Sequence, residues 1–462
     1  MFDTDLVDVL VLLPAIMALA FGFLIQLAGG SERVNSKTEK LLGLAFLLIL
    51  TAICFYLEKT VSNTSVVVLD GLFKVDGVSA ATACAISVLC LMQYVGACSD
   101  SQSKSRTSDL FIPLGLLLAL IFSQNLIFVF IFSELVLLKT LTSRTEKFCW
   151  ADLQSARIRF AGLILILGAV AINYGMGTPS TLSFLQSSSE ALYSADYLFL
   201  IGSIFILSGL IKILWSFFET DFLKLSFQTL LAGLSFVLVT LKYSSADLFA
   251  VLEDVQAPLQ WLCIIVLLAT VSKIHQATYF LQQIKFIFLS ALLLSVIFIL
   301  PLIFDGEGLQ TTGLAYLFIS LTGVLFLLQI QSSLERSKGA SVILDDIMGL
   351  SERLPKRSLL IVLVWVLATA FPLGLGFLSL AMGLKTSFQA GFYWVGFWTL
   401  FSMIGLWTTV PRILNSVFFE KPDSESWFLW EDKAVADVNL LKVAAFAFVT
   451  VISPVLFLLL FR

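Results

Sequence analysis

The chain has 462 residues, 59% of them hydrophobic and only 13% charged, with a mean hydropathy of +0.98. A soluble domain carries about a quarter charged residues, and one this apolar would expose aggregating patches, so a water-soluble enzyme is excluded. The net charge of −4 is scattered over short loops, with no basic face to bind nucleic acid.

The first residues, MFDTDLVDVL, are acidic and lack a small-residue cleavage site, which predicts a retained first span rather than a signal peptide. A crossing needs about twenty apolar residues. Such runs lie near 7–28, 41–57, 78–98, 109–124, 126–142, 157–176, 195–217, 226–243, 258–281, 284–304, 311–331, 358–384, 388–416 and 440–461. They are continuously apolar rather than alternating, which predicts helices and not a barrel. The fold class is thus an all-α polytopic membrane protein of about fourteen transmembrane helices.

Charge placement supports the count. Odd-numbered loops hold Arg33, Lys37, Lys40, Lys104, Arg106, Arg144, Lys224, Arg336, Lys338, Lys356, Arg412 and Lys421 among others, whereas even-numbered loops and the C-terminal tip hold Lys59, Lys74, Lys242, Lys385 and Arg462. The positive-inside rule then puts the odd loops in the cytoplasm and both termini outside. In the longest cytoplasmic connection, 332–357, apolar residues at helical spacing before Pro355 predict a short interfacial helix.

The six cysteines form no CxxC pair, and five lie in or beside apolar runs, where they read as small buried residues. A single histidine, His275, argues against a His-rich metal site or a Ser-His-Asp triad. No metal or bound cofactor is expected.

Ionisable residues inside the spans cost several kcal/mol by insertion scales and each needs a reason. Glu134 lies midway along the fifth span and Lys212 in the second half of the seventh, with Glu219 and Asp221 where that span ends. A carboxylate and an amine on neighbouring helices lower the cost of charging each other, so Glu134 and Lys212 read as a buried pair on a proton route, against the plainer reading of a structural clamp. Lys139 lies close enough to the membrane edge to snorkel, and Lys242 and Lys273 read the same way. His275 reads as a packed or cytoplasm-facing histidine.

Short motifs follow one another in a telling order. LDGLFKVDGVSA opens the third span at 69–80, FIFSELVLL surrounds Glu134, and SGLIKI surrounds Lys212. Gln283-Ile284-Lys285 opens the tenth span, DDIMGLSERLP at 345–355 precedes the twelfth, and Ala370-Phe371-Pro372, Gly376-Phe377 and AGFYWV at 390–395 follow. Their succession resembles the antiporter-like membrane subunits of respiratory complex I and the Mrp cation/proton antiporters, and is most similar to subunit N of bacterial NADH-quinone oxidoreductase. The resemblance covers nearly the whole chain.

The resemblance implies two inverted five-helix repeats, helices 4–8 and 9–13, each with a broken helix and a polar axis at mid-membrane. The implied divisions are 1–98, 109–243, 258–416 and 440–462. It also implies the bacterial inner membrane, other membrane-arm subunits of complex I as partners, and NADH and quinone handled elsewhere in the assembly. Glu134 and Lys212 would carry protons, with Lys139, Glu219, Asp221, Lys273, His275 and Lys285 as secondary candidates.

Departures from the pattern are specific. The family's eighth-span lysine falls near Gly233-Leu234, its twelfth-span lysine on Leu380, and its tenth-span histidine near Ser295. In the seventh span, Phe217 and Glu219 replace the Pro and His that break the helix. Three readings therefore stand: a complex I membrane subunit with a proton half-channel, a structural subunit that no longer pumps, and an Mrp-type Na⁺/H⁺ antiporter subunit.

Overall fold

The computed structural model describes residues 4–29, 36–61, 65–69, 72–98, 108–142, 227–244, 253–299, 308–338, 341–372, 374, 376–389 and 391–421, with 455, 457 and 459 near the end of the chain. The sixth and seventh spans, with Lys212, Glu219 and Asp221, lie outside the described residues, as does most of the fourteenth. The described chain is predominantly helical and divides into two compact units, residues 1–255 and 256–462.

In the first unit, α1 (Thr4–Gly29) packs against α4 (Ser108–Phe122), and α2 (Ser36–Val61) against α3 (Gly77–Cys98). Reciprocal glycines allow the first approach: a Cβ on Gly22 would lie 2.8 Å from Ile112 Cγ1, and one on Gly115 2.8 Å from Leu19 N. The rings of Phe21 and Phe46 stack at 4.1 Å and both present to Phe111, joining α1, α2 and α4. α5 (Leu126–Thr142) packs on α4 and on α6 (Phe227–Ser244).

The motif at 69–80 contains more than a span start. Its β-branched lead forms β1 (Val66–Val68), paired antiparallel with β2 (Phe73–Val75). The Asp76 carboxylate then accepts from Ser79 N–H at 2.8 Å while Ser79 Oγ accepts from Asp76 N–H at 2.8 Å, a reciprocal cap on α3. This hairpin also holds the Ser-Gln-Asn break between α4 and α5. Phe73 bridges Ser123, Gln124 N–H donates to Leu72 O at 2.8 Å, and Asn125 Oδ1 caps Ile127 N–H at 2.9 Å.

The second unit contains α7 (Glu253–Gln276), α8 (Phe280–Ile299), α9 (Gly308–Lys338), α10 (Pro355–Ala368), α11 (Gly376–Gln389), α12 (Tyr393–Trp407) and α13 (Thr409–Phe418). Among the described residues, Thr38–Val61, Gly77–Val95, Phe280–Ile299 and Thr311–Glu335 are long and apolar enough to cross a membrane, with shorter apolar helices beside them. Along α12, Tyr393, Trp394, Phe397 and Phe401 are exposed, the lipid-facing arrangement expected of these rings.

The structure corrects two span readings. The run 358–384 is two helices, because Pro372 donates no N–H and bars helical geometry at Phe371, and Ala370 turns left-handed at φ +46°. The run 388–416 is also two helices: Pro411 cannot donate to the carbonyl of residue 407, and the helix breaks at Thr408. In the connection 332–357 the short helix expected before Pro355 is a single turn, Leu350–Arg353, preceded by an extended piece and a 3-10 turn at Asp345–Ile347. Backbone groups a helix would use are spent on the α7–α8 turn instead, Phe280 N–H donating to Val342 O at 3.1 Å and Leu344 N–H to Thr278 O at 2.9 Å.

Candidate proton-handling site

In the first unit, Glu134 is the ninth of the seventeen residues of α5, so it sits at the helix midpoint. Its side chain is half-buried, and one carboxylate oxygen, Oε2, is shut off from solvent. Lys139, in the last turn of α5, is also half-buried. Five residues separate the two, about 7.5 Å along the axis. On α6, Gly233 and Leu234 are buried and apolar where the resemblance expects a lysine.

In the second unit the remaining candidates gather where α7 gives way to α8. Lys273 and His275 occupy the last turn of α7, both half-buried, and Lys285 lies one turn into α8 with its side chain buried. Gln283 closes the end of α7 by donating to Ile274 O at 3.5 Å and Ala277 O at 3.4 Å. The DDIMG motif adds Asp346, buried, which accepts from Ile343 N–H at 2.7 Å and from the Lys338 ammonium.

His275 reaches across to the break at Thr408. Its Nε2 lies 3.1 Å from Gly405 O and 3.1 Å from Thr408 Oγ1. Thr408 donates its own hydroxyl proton to Gly405 O at 2.7 Å. A carbonyl only accepts, so a bond to Gly405 O requires the proton on Nε2. Arg412, which sequence reasoning missed, donates from Nη1 to His275 O at 2.8 Å.

Two tryptophans tie the helix breaks to each other. Trp365 of α10 donates its indole N–H to Thr409 Oγ1 at 3.0 Å, and Trp407 of α12 donates to Ala370 O at 3.1 Å. The left-handed Ala370 carries roughly 1–2 kcal/mol of conformational cost, and its buried carbonyl is satisfied by Trp407. Replacing Trp407 by phenylalanine should leave that carbonyl without its donor, at about 1–3 kcal/mol. Hydrogen exchange of the amides flanking the break should then accelerate, on the order of tenfold for 1.4 kcal/mol; an unchanged rate would show that the indole bond does not hold the break.

Where the resemblance expects ionisable groups, the second unit is neutral. Leu380 is fully buried on the face of α11 that also carries Gly376 and Gly383. That face abuts α9 at Ile319, 3.1 Å from a Cβ on Gly376, and α8 at Phe298, whose ring would lie 3.0 Å from a Cβ on Gly383. Ser295, also fully buried, donates its hydroxyl proton back to Ala291 O and Leu292 O of its own helix at 3.0 Å.

The described residues thus hold apolar helices, two of whose runs are broken, and a half-buried carboxylate at the midpoint of α5. No family model and no curated protein sequence matches the chain. Solved structures do. The chain is similar to one of respiratory complex I from Thermus thermophilus with bound NADH, at 17% identity and TM-score 0.71, over 98% of this chain and 100% of that one. It is equally similar to a chain of the Mrp complex from a Dietzia species, at 17% identity and TM-score 0.72, over 100% of this chain and 96% of that one. A third is a chain of the membrane-bound sulfane sulfur reductase, an archaeal respiratory membrane complex, at 14% identity and TM-score 0.66, over 98% of this chain and 95% of that one. At these identities the likeness is one of fold.

Proposed function

We propose that this chain is a membrane-arm subunit of a proton-translocating NADH-quinone oxidoreductase of the complex I type, most like subunit N. It spans a bacterial inner membrane about fourteen times as two inverted repeats, with both termini outside. The first repeat supplies a proton half-channel through Glu134 and Lys212, and the chain carries no redox centre of its own; NADH and quinone react elsewhere in the assembly. The observation that carries this reading is Glu134 itself. A carboxylate at the midpoint of an apolar helix, with one oxygen buried, is costly unless it is used.

In vesicles energised by NADH, Glu134→Gln and Lys212→Ala should each lower protons translocated per electron while quinone reduction continues. Leu380→Met should leave the ratio unchanged, because that position is already apolar. Unchanged stoichiometry in both charge variants would move the assignment to the second reading, a structural subunit that no longer pumps. Leu380 and Ser295, which stand where charges are expected, favour that alternative for the second repeat. Isolation of the tagged chain with a Na⁺/H⁺-exchanging assembly that does not oxidise NADH would instead identify an Mrp-type subunit.

A further inference from the structure

Trp407, Thr408 and Thr409 are consecutive, yet each is held by a different element. Trp407 donates its indole N–H to Ala370 O at 3.1 Å, at the break between α10 and α11. Thr408 Oγ1 lies 3.1 Å from His275 Nε2 on α7, and Thr409 Oγ1 accepts from Trp365 of α10 at 3.0 Å. The break that Pro411 imposes between α12 and α13 is therefore a junction of three elements.

α7 grips this junction at several points. A Cβ on Gly405 would lie 2.7 Å from Val271 Cγ1, so α7 and α12 approach closely there. One turn further along α7, His275 Nε2 lies 3.1 Å from Gly405 O as well as from Thr408 Oγ1. In return, Arg412 of α13 donates from Nη1 to His275 O at 2.8 Å. Side chain and main chain of His275 are thus bonded to both sides of the break at Thr408.

On its other side the junction meets the α10–α11 break. The Trp407 ring meets Phe371 and Phe377 edge-on, with centroids 6.5 and 5.7 Å away, so it stands against residues before and after Pro372. The peptide unit joining Trp407 to Thr408 is planar and stiff, so a shift of Thr408 relative to α7 carries Trp407 with it. We propose that His275 is a positioning residue for the α10–α11 break: by fixing Gly405 and Thr408 it sets where Trp407 meets Ala370. The one histidine of the chain then serves as an N–H donor at Nε2, a role that needs no change of protonation. The end of α7 is thereby coupled, through three consecutive residues, to a break in a helix run much later in the chain.

Hydrogen exchange of the full chain in its native membrane assembly tests this. The probes are the Phe371 N–H, which donates to Val366 O at 3.0 Å, and the Gly374 N–H, which donates to Phe371 O at 2.7 Å. His275→Leu should accelerate exchange at both several-fold. His275→Gln, whose amide N–H reaches about the place of Nε2 but does not titrate, should exchange close to wild type. That rescue separates a positioned donor from a proton carrier and from a ring that only fills space. His275→Leu added to Trp407→Phe should accelerate exchange little beyond Trp407→Phe alone, because the effect runs through the indole. Unchanged exchange in assembled His275→Leu, failure of glutamine to rescue, or strict additivity with Trp407→Phe would overturn the assignment. Should His275→Leu fail to assemble on gel filtration, Thr408→Val decides instead. Loss of that hydroxyl should accelerate the same two amides, and unchanged rates would overturn the proposal. Exchange is read without turnover, so the outcome is separate from that of Glu134→Gln.

Discussion

Gly323→Ala should sharply destabilise the second unit, although it adds a single methyl group. That methyl would lie 2.5 Å from the backbone nitrogen and 2.6 Å from the Cα of Ala368. Neither atom can rotate away, so α9 and the end of α10 must separate. Overpacking of this kind costs about 1–3 kcal/mol and occasionally more, and here it also disturbs the break between α10 and α11. A thermal-stability series by fluorescence-detected gel filtration should show Gly323→Ala melting several degrees below wild type. Leu363→Ala, on the exposed face of α10, is the control and should melt close to wild type. Equal melting of Gly323→Ala and the control would mean that the two helices are not pressed together at this point.

Asp346→Ala should cost about 3–5 kcal/mol, the usual penalty for removing one partner of a buried ion pair. The carboxylate is 5% exposed and its partner Lys338 11%. Loss of the carboxylate strands that ammonium, although Lys338 also donates to Ser341 O at 3.2 Å, and frees the Ile343 N–H that it holds at 2.7 Å. Asp346→Asn should be milder because it keeps an acceptor for Ile343. Adding Lys338→Met to Asp346→Ala should restore part of the loss, since no charge is then left uncompensated. Strict additivity of the two single variants would show that the pair is not coupled. The expected consequence is local: 341–349 would detach from the α7–α8 turn, exposing that connection to protease.

Several features were legible from residues alone because they depend on local chemistry. The apolar runs marked α1 to α5 and α6 to α8 to within about five residues, and α9 except for its last turns, since a membrane helix must satisfy its backbone internally and announces itself by length. Pro372 and Pro411 stood in the sequence as breakers, yet the runs around them were continuous in hydrophobicity, so hydropathy joined what backbone geometry divides. The connection 332–357 was legible only in its short helix before Pro355; the extended piece ahead of it pairs with the α7–α8 turn, Ile343 against Tyr279, about sixty residues earlier in the chain, which is a non-local choice. The candidate site divides the same way. Glu134 and Lys285 were visible as charges in apolar surroundings, whereas Trp365, Trp407 and Thr408 look like ordinary apolar or edge residues until two helix breaks are seen to meet.

The sequence by itself determined that this is a helical membrane protein, because composition and run length set the solvent a chain can fold in. It also determined which positions lack the charges that its motif pattern leads one to expect, Leu380 and Ser295 among them. Only the tertiary structure decided what stands in their place: a close-packed apolar face at Leu380 and a serine closed on its own helix. The reason is physical. Hydrophobicity is summed along the chain, whereas the satisfaction of a buried polar atom depends on which neighbours the fold brings within about 3 Å of it.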